Sequence, residues 1–207
     1  MCIRDRTRID QDLSSARNAS AASPAEVYLS MTQLSRSIGA LLSQAVDRSG
    51  LALDPELSSY YLMNAALVRG PEIIRSTAEV RGLVGGALRA GRIEPAGLAH
   101  MDDLRSVMAH EMARAREDLS KVGAAEPELA KGLRLDAPVA TAAFLKQVDT
   151  LFPPGTTSVQ GDAKALIAQA NQTLAVQYRQ VQTNLGVLDQ LLARREARLT
   201  TRLWTHL

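Results

Sequence analysis

The stretch Leu53–Gly91, LDPELSSYYLMNAALVRGPEIIRSTAEVRGLVGGALRAG, decides the fold. Asp54 followed by Pro55 is a helix start, because an aspartate can accept the free N–H groups of a first turn and proline's fixed φ suits the first helical position. Leu57, Tyr60, Tyr61, Met63, Asn64, Leu67 and Val68 follow at helical spacing. Gly70-Pro71 interrupts the run, since Pro71 brings no amide hydrogen and its ring disfavours helical geometry at Gly70. The chain resumes as helix from Pro71 to about Leu88, so two helices joined by a kink or a tight turn are expected. Gly85-Gly86 weakens the last turns, and Gly91 is the stop.

Toward the N-terminus, Met1-Cys2-Ile3-Arg4-Asp5-Arg6 is read as a non-native leader and set aside, leaving residues 7–207 as one domain. Thr7–Asn18 is a short polar helix. Ser23, Pro24 and Glu26 form a start signal, with the serine as N-cap and the glutamate reaching back to it. The helix from Pro24 to about Asp47 is expected to bury Val27, Met31, Leu34, Ile38, Leu41, Leu42 and Ala45, which recur at three and four residues. Arg48-Ser49-Gly50 ends it.

Toward the C-terminus, a helix opens at Glu94-Pro95 and closes at Gly123, with Leu98, Met101, Leu104, Val107, Met108, Met112 and Leu119 on its apolar side. Another is expected over Pro127–Leu151, kinked or interrupted at Pro138. Phe152–Ser158 is a loop. Asp162 then caps a helix of roughly 45 residues, on the order of 65 Å. Its stripe of Leu174, Tyr178, Val181, Leu185, Leu188, Leu192, Leu199 and Leu203 has the near-heptad period of a bundle. The fold class is therefore all-α: an elongated antiparallel bundle of about six helices, in two stacked four-helix layers threaded by a long C-terminal helix.

Composition points the same way. The 207 residues are 46% hydrophobic but only 3% aromatic, and the abundant Ala, Leu, Arg, Gln and Glu are good helix formers. Lys and Arg number 24 against 22 Asp and Glu, interspersed rather than gathered in a basic stripe, so no nucleic-acid partner is expected. The single cysteine, Cys2, excludes an internal disulfide and a cysteine-rich metal site. No run of eighteen apolar residues occurs, so this sequence holds no membrane span.

Catalytic patterns are missing. His100 and His110 are ten residues apart, not at the spacing that places two ligands on one helix face, and His206 stands elsewhere. There is no phosphate-binding glycine loop and no serine elbow. Asp102-Asp103 and Glu117-Asp118 are neighbours on helices that face different ways, and are expected in solvent. No enzymatic activity, cofactor or metal is expected. Met63, Met101, Met108 and Met112 are core filler.

Leu53-Asp54-Pro55, Ser59-Tyr60-Tyr61-Leu62-Met63 and Arg81-Gly82-Leu83 resemble the extracytoplasmic helical-bundle sensor regions of bacterial transmembrane receptors. These are the input modules of chemotaxis receptors, sensor histidine kinases and diguanylate cyclases. The resemblance implies a periplasmic signal-transduction domain beside the inner membrane, whose flanking spans are absent from this sequence, and a homodimer formed by helix packing. It also implies a ligand. In nitrate- and nitrite-sensing bundles an Arg-Gly pair inside an apolar helix supplies the anion-binding arginine, and Arg81-Gly82 matches that pattern; the N-terminal helix carrying a further arginine motif is missing or truncated. Arginine's planar fork suits carboxylates and oxyanions, so a small anion held by Arg81, Arg75 and Arg69, with Tyr60, Tyr61 and Asn64 lining the pocket, is the expected site. Salt bridges to Glu72 or Glu79 are the competing use of these arginines, and core packing that of the tyrosines.

Arg194–Trp204 combines basic residues with a tryptophan at the end of the long helix, the pattern of a helix arriving at a membrane interface. The alternative is an amphipathic tail on a soluble, coiled-coil-like adaptor that binds partner helices.

Overall fold

Local chemistry sets the helix ends. A computed structural model describes residues 3–19, 23–54, 56–153 and 156–205. Helix α1 spans Ile3–Ala19 and α2 spans Pro24–Ser49. Between them the Ser23 hydroxyl accepts from Glu26 N at 3.4 Å while Glu26 Oε2 accepts from Ser23 N at 2.9 Å, the reciprocal box anticipated from the sequence. Gly50, at φ 73°, closes α2 in the left-handed region that glycine enters without a Cβ penalty. Gly91, at φ 71°, does the same for the helix that ends at Ala90.

After a 3₁₀ turn at Leu51–Leu53, α3 covers Leu57–Met63, a π-helical segment Asn64–Arg69, and α4 Gly70–Ala90. The start anticipated at Asp54-Pro55 is thus displaced to Leu57, and Pro55 lies outside the described residues. The reason is that the Asp54 carboxylate turns the chain rather than capping a helix: Oδ1 accepts from Glu56 N at 2.9 Å and from Arg195 of the last helix at 2.6 Å.

No turn separates two helices at Gly70-Pro71. The helical backbone continues through it by widening one turn: Gly70 N donates to Ala65 O, five residues back, so the backbone is paired where Pro71 removes a donor. Gly70 itself has ordinary helical angles. Its missing side chain matters for another reason, since a Cβ there would stand 2.5 Å from Val181 Cγ2 of the last helix. Gly70→Ala is therefore expected to destabilise the chain by about 1–3 kcal/mol through overpacking, and adding Val181→Ala to restore most of it. Denaturant titration of the three variants checks this, and an unchanged Gly70→Ala midpoint would contradict the close approach.

Helix α5 spans Pro95–Ala125, running on through Gly123. The single helix anticipated over Pro127–Leu151 is two, α6 at Pro127–Ala130 and α7 at Ala137–Leu151, parted by a loop at 131–136. Pro138 lies in the first turn of α7, where a missing N–H costs nothing, so it begins a helix instead of kinking one. Helix α8, Ala163–Thr205, is 43 residues long, with Asp162 Oδ1 accepting from Lys164 N and Ala165 N at 2.8 and 3.1 Å. The α4–α5 and α7–α8 loops meet at one end of the bundle, where Ile93 N donates to Thr157 O and Val159 N to Gly91 O.

Two apolar cores are stacked along the bundle. One gathers Val80, Val84, Met101, Leu104, Met108, Phe144, Val148 and Leu166 from α4, α5, α7 and α8. The other gathers Val46, Leu62, Met63, Leu119, Val122, Leu129, Val187, Leu188 and Leu191 from α2, α3, α5, α6 and α8. Among the described residues, only α5 and α8 supply buried residues to both. The anticipated all-α bundle is thus present. The apolar side expected of α5 is buried or half-buried, and Leu174 and Leu188 of α8 are buried as expected, but Tyr178 and Leu199 of α8 and Met31, Ile38 and Ala45 of α2 are exposed.

Far from the first core, Arg195 holds Asp54 at 2.6 Å, and Arg198 reaches Glu56 at 3.3 Å. Two arginines of the basic C-terminal stretch are thus committed within the chain; the side chain of Trp204 lies outside the described residues. Burial raises the Asp54 carboxyl, but the bonds from Glu56 N–H, Ser59 and Arg195 outweigh it and hold the group below its ordinary value. Its contribution is therefore full above about pH 4 and lost as pH falls through the depressed folded value. Asp54→Asn should lower stability by about 1 kcal/mol at neutral pH, with the gap from the parent closing in acid. Melting temperature against pH for both proteins tests this, and a gap that widened in acid would contradict it.

Candidate functional site

The residues anticipated as an anion site are carried by α3, the π-helical segment and α4, but they do not converge. Arg69 points to α5, where its Nε donates to Asp118 Oδ2 at 2.7 Å and its other nitrogen to Glu111 Oε2 at 2.9 Å. Burial disfavours its charge, yet hydrogen bonds to Asp118 and Glu111 outweigh burial and push its pKa up. Arg75 is clamped on its own helix by Glu72 and Glu79, one turn either side, and the Glu72 bond leads in pushing it up. Both guanidiniums are already neutralised. Asp118, expected in solvent, is instead buried by this pairing.

Arg81 reaches across to α8 and donates to Asn171 Oδ1 at 2.7 Å on an exposed surface. The neighbouring glycine serves packing, since a Cβ on Gly82 would come within 2.6 Å of the Tyr28 ring of α2. Tyr60 and Tyr61 meet edge to face with centroids 5.5 Å apart and pack on the second core, and Lys121 Nζ stands 4.6 Å over the Tyr61 ring. Asn64 starts the π-helical segment, half-buried. Ion pairing thus takes up Arg69 and Arg75, and packing takes up Tyr60 and Tyr61.

A different site lies at the waist between the two cores. There a cavity of about 540 Å³ opens between α4, α5, α7 and the 131–136 loop, with Gln180 reaching it from α8. Ile73, Met112, Ala115, Leu119, Leu133 and Leu135 give it apolar walls, and Thr141 and Gln180 are polar. Volumes of 300–1,000 Å³ with apolar walls and a few placed polar groups are typical of small-molecule sites. A small recess adjoins it, bounded by Gly70, Gln177, Val181 and Asn184 and sharing Ile73, Ala115, Ala137 and Gln180 with the larger space.

Amide side chains on one face of α8 lie along the recess and reach the cavity at Gln180. Gln177 Nε2 donates to Thr77 Oγ1 at 2.8 Å and to Thr141 Oγ1 at 2.9 Å, tying α8 to α4 and α7. Each threonine hydroxyl donates its hydrogen to the carbonyl four residues back, which leaves its oxygen to accept from Gln177. Gln180 Oε1 accepts from Ala137 N at 2.9 Å, and Asn184 brackets Arg134, accepting from its N–H at 2.9 Å and donating to its carbonyl at 3.3 Å. The loop that roofs the cavity is thus fastened to α8. Gln177 Oε1 is buried and has no hydrogen-bond partner among the described residues. Steps of three and four between Gln177, Gln180 and Asn184 could have signalled a polar face, but the apolar residues beside them set the expected stripe.

At the mouth stand Ser120 and Arg116, both exposed. On α5, Arg105 is paired with Asp102 and Asp149, and Arg114 and Lys121 with Glu117. Arg116 has no carboxylate partner among the described residues, and its helical neighbours at three and four residues are Met112, Ala113, Leu119 and Ser120. Among the described residues no group of three His, Cys, Asp or Glu could hold a metal ion, and no helix is long and apolar enough to cross a membrane. No protein-family model, curated protein or solved structure matches this chain.

Proposed function

We propose that this chain is the ligand-sensing helical bundle of a bacterial membrane receptor, lying on the periplasmic side, with the waist cavity as its binding site. The observation that carries the reading is that the α4, α7 and loop walls of the cavity are hydrogen-bonded to α8, which supplies buried residues to both cores. A ligand seated among α4, α5, α7 and the 131–136 loop touches the elements fastened to α8 by Gln177, Gln180 and Asn184. If it binds one packing of these helices more tightly than another, it shifts their populations and α8 carries the change onward. The resemblance of Leu53-Asp54-Pro55 and Ser59–Met63 to receptor input modules supplies the setting. The small-anion expectation moves with the site, because Arg69 and Arg75 are spent on carboxylates.

The test is a thermal-shift screen of organic acids, amino acids and nitrate, since binding to the native state raises melting temperature by mass action. It is paired with spin-label distances between Leu53→Cys and Thr200→Cys in a Cys2→Ser background, with and without each hit. Expected are a stabilising hit and a shifted distance distribution. A screen without hits, or hits that leave the distances unchanged, would overturn the sensor reading.

A second reading, an adaptor for partner helices, is favoured by exposed Leu29, Met31 and Ile38 on α2. Sedimentation of the parent and Met31→Glu/Ile38→Glu chains separates the two. A self-associated parent that the double variant dissociates supports an α2 interface, whereas identical monomers remove it.

A further inference from the structure

We infer that the waist cavity takes a carboxylic acid with a compact apolar body, its carboxylate held at the mouth by Arg116 and its body against Ile73, Ala115 and Leu119. The inference rests on the sensor reading above and names the ligand class for that site. Its two halves come from separate observations. The walls are largely aliphatic, and a ligand that covers them removes apolar surface from water on both sides. The mouth carries a guanidinium with no carboxylate at helical reach on α5 and no ion pair among the described residues. A guanidinium beside an apolar cavity matches a carboxylate by charge and by its paired N–H donors.

Competing anions fit less well. A bare inorganic oxyanion such as nitrate would leave the aliphatic walls uncovered, and a dianion would meet one guanidinium only. Acidic side chains do not compete at the mouth: Glu117 is turned to Arg114 and Lys121, while Glu111 and Asp118 are turned to Arg69.

The experiment uses the full chain and three probes: N-phenyl-1-naphthylamine as a neutral fluorescent reporter of the cavity, 3-phenylpropionate, and its uncharged counterpart 3-phenylpropionamide. Expected are reporter uptake and displacement by both competitors, the carboxylate about tenfold more strongly than the amide at low salt, with the ratio shrinking as salt rises. Arg116→Gln, an exposed substitution, should bring the carboxylate down to the amide and leave the amide unchanged. Leu135→Trp, at a half-exposed wall position, should block all three. Equal displacement by acid and amide, or an Arg116→Gln ratio equal to the parent's, overturns the carboxylate assignment while leaving the cavity as a ligand site. Failure of reporter and competitors alike overturns the cavity, and the sensor reading with it. Uptake that Leu135→Trp leaves untouched places the site elsewhere and overturns both.

Discussion

Arg69→Ala should be among the most damaging single substitutions in this protein, lowering stability by about 3–5 kcal/mol. Arg69 links the π-helical segment to α5 through Glu111 and Asp118, and the Asp118 side chain is only 4% exposed. Removing the guanidinium leaves a buried carboxylate without its counter-charge, and the cost is that of the stranded charge rather than of a lost surface contact. In a chain of this size the change corresponds to a fall in melting temperature of about 10 °C. Arg69→Met combined with Glu111→Gln and Asp118→Asn should regain most of the loss, because the site then holds no unpaired charge. Arg81→Ala, whose partner is an exposed amide, should stay within about 0.5 kcal/mol of the parent. Denaturant titrations decide the matter, and an Arg69→Ala cost below about 1 kcal/mol would mean that the pair behaves as a surface salt bridge.

Phe144→Ala should cost a comparable about 3–5 kcal/mol for a different reason. Phe144 is fully buried where α7 meets the first core, and truncating it leaves a cavity that four packed helices can close only in part. Because α5 and α8 run through both cores, unfolding of the parent and of this variant is expected as one transition, detected alike by circular dichroism and tyrosine fluorescence. Two separated transitions in Phe144→Ala would show that the second core stands without the first.

How much of this was legible depends on the range of the interaction. The Ser23–Glu26 box, the Asp162 cap and the left-handed Gly50 and Gly91 are local chemistry, and the sequence displays them directly. The course of the helix at Gly70-Pro71 is not local. It turns on Val181 lying against Gly70 and on Asp118 drawing Arg69 inward, partners 111 and 49 residues away. Burial on α8 was misplaced because Gln177 and Asn184 are polar by composition yet buried by pairing with Thr77, Thr141 and Arg134. The cavity escaped notice for a related reason: its roof is the 131–136 loop, which periodicity had absorbed into a helix. The six anticipated site residues were chosen by residue type, and the carboxylates that occupy two of them come partly from α5, on the far side of a turn.

The amides of α8 also limit how that helix can move. Sliding by one turn, about 5.4 Å, would carry Gln177 away from Thr77 and Thr141 and put Val181 or Thr173 in its place, and neither side chain can donate to two hydroxyls at once. The same step would bring one of Gln180 and Asn184, which are one turn apart, to the other's height and leave either Arg134 or Ala137 facing an apolar side chain, Leu188 or Val176. Together these bonds form a ratchet with a single notch. What remains open to α8 is leverage: a small tilt about the waist, with the amides as fulcrum, that swings its ends in opposite directions while the middle stays in place.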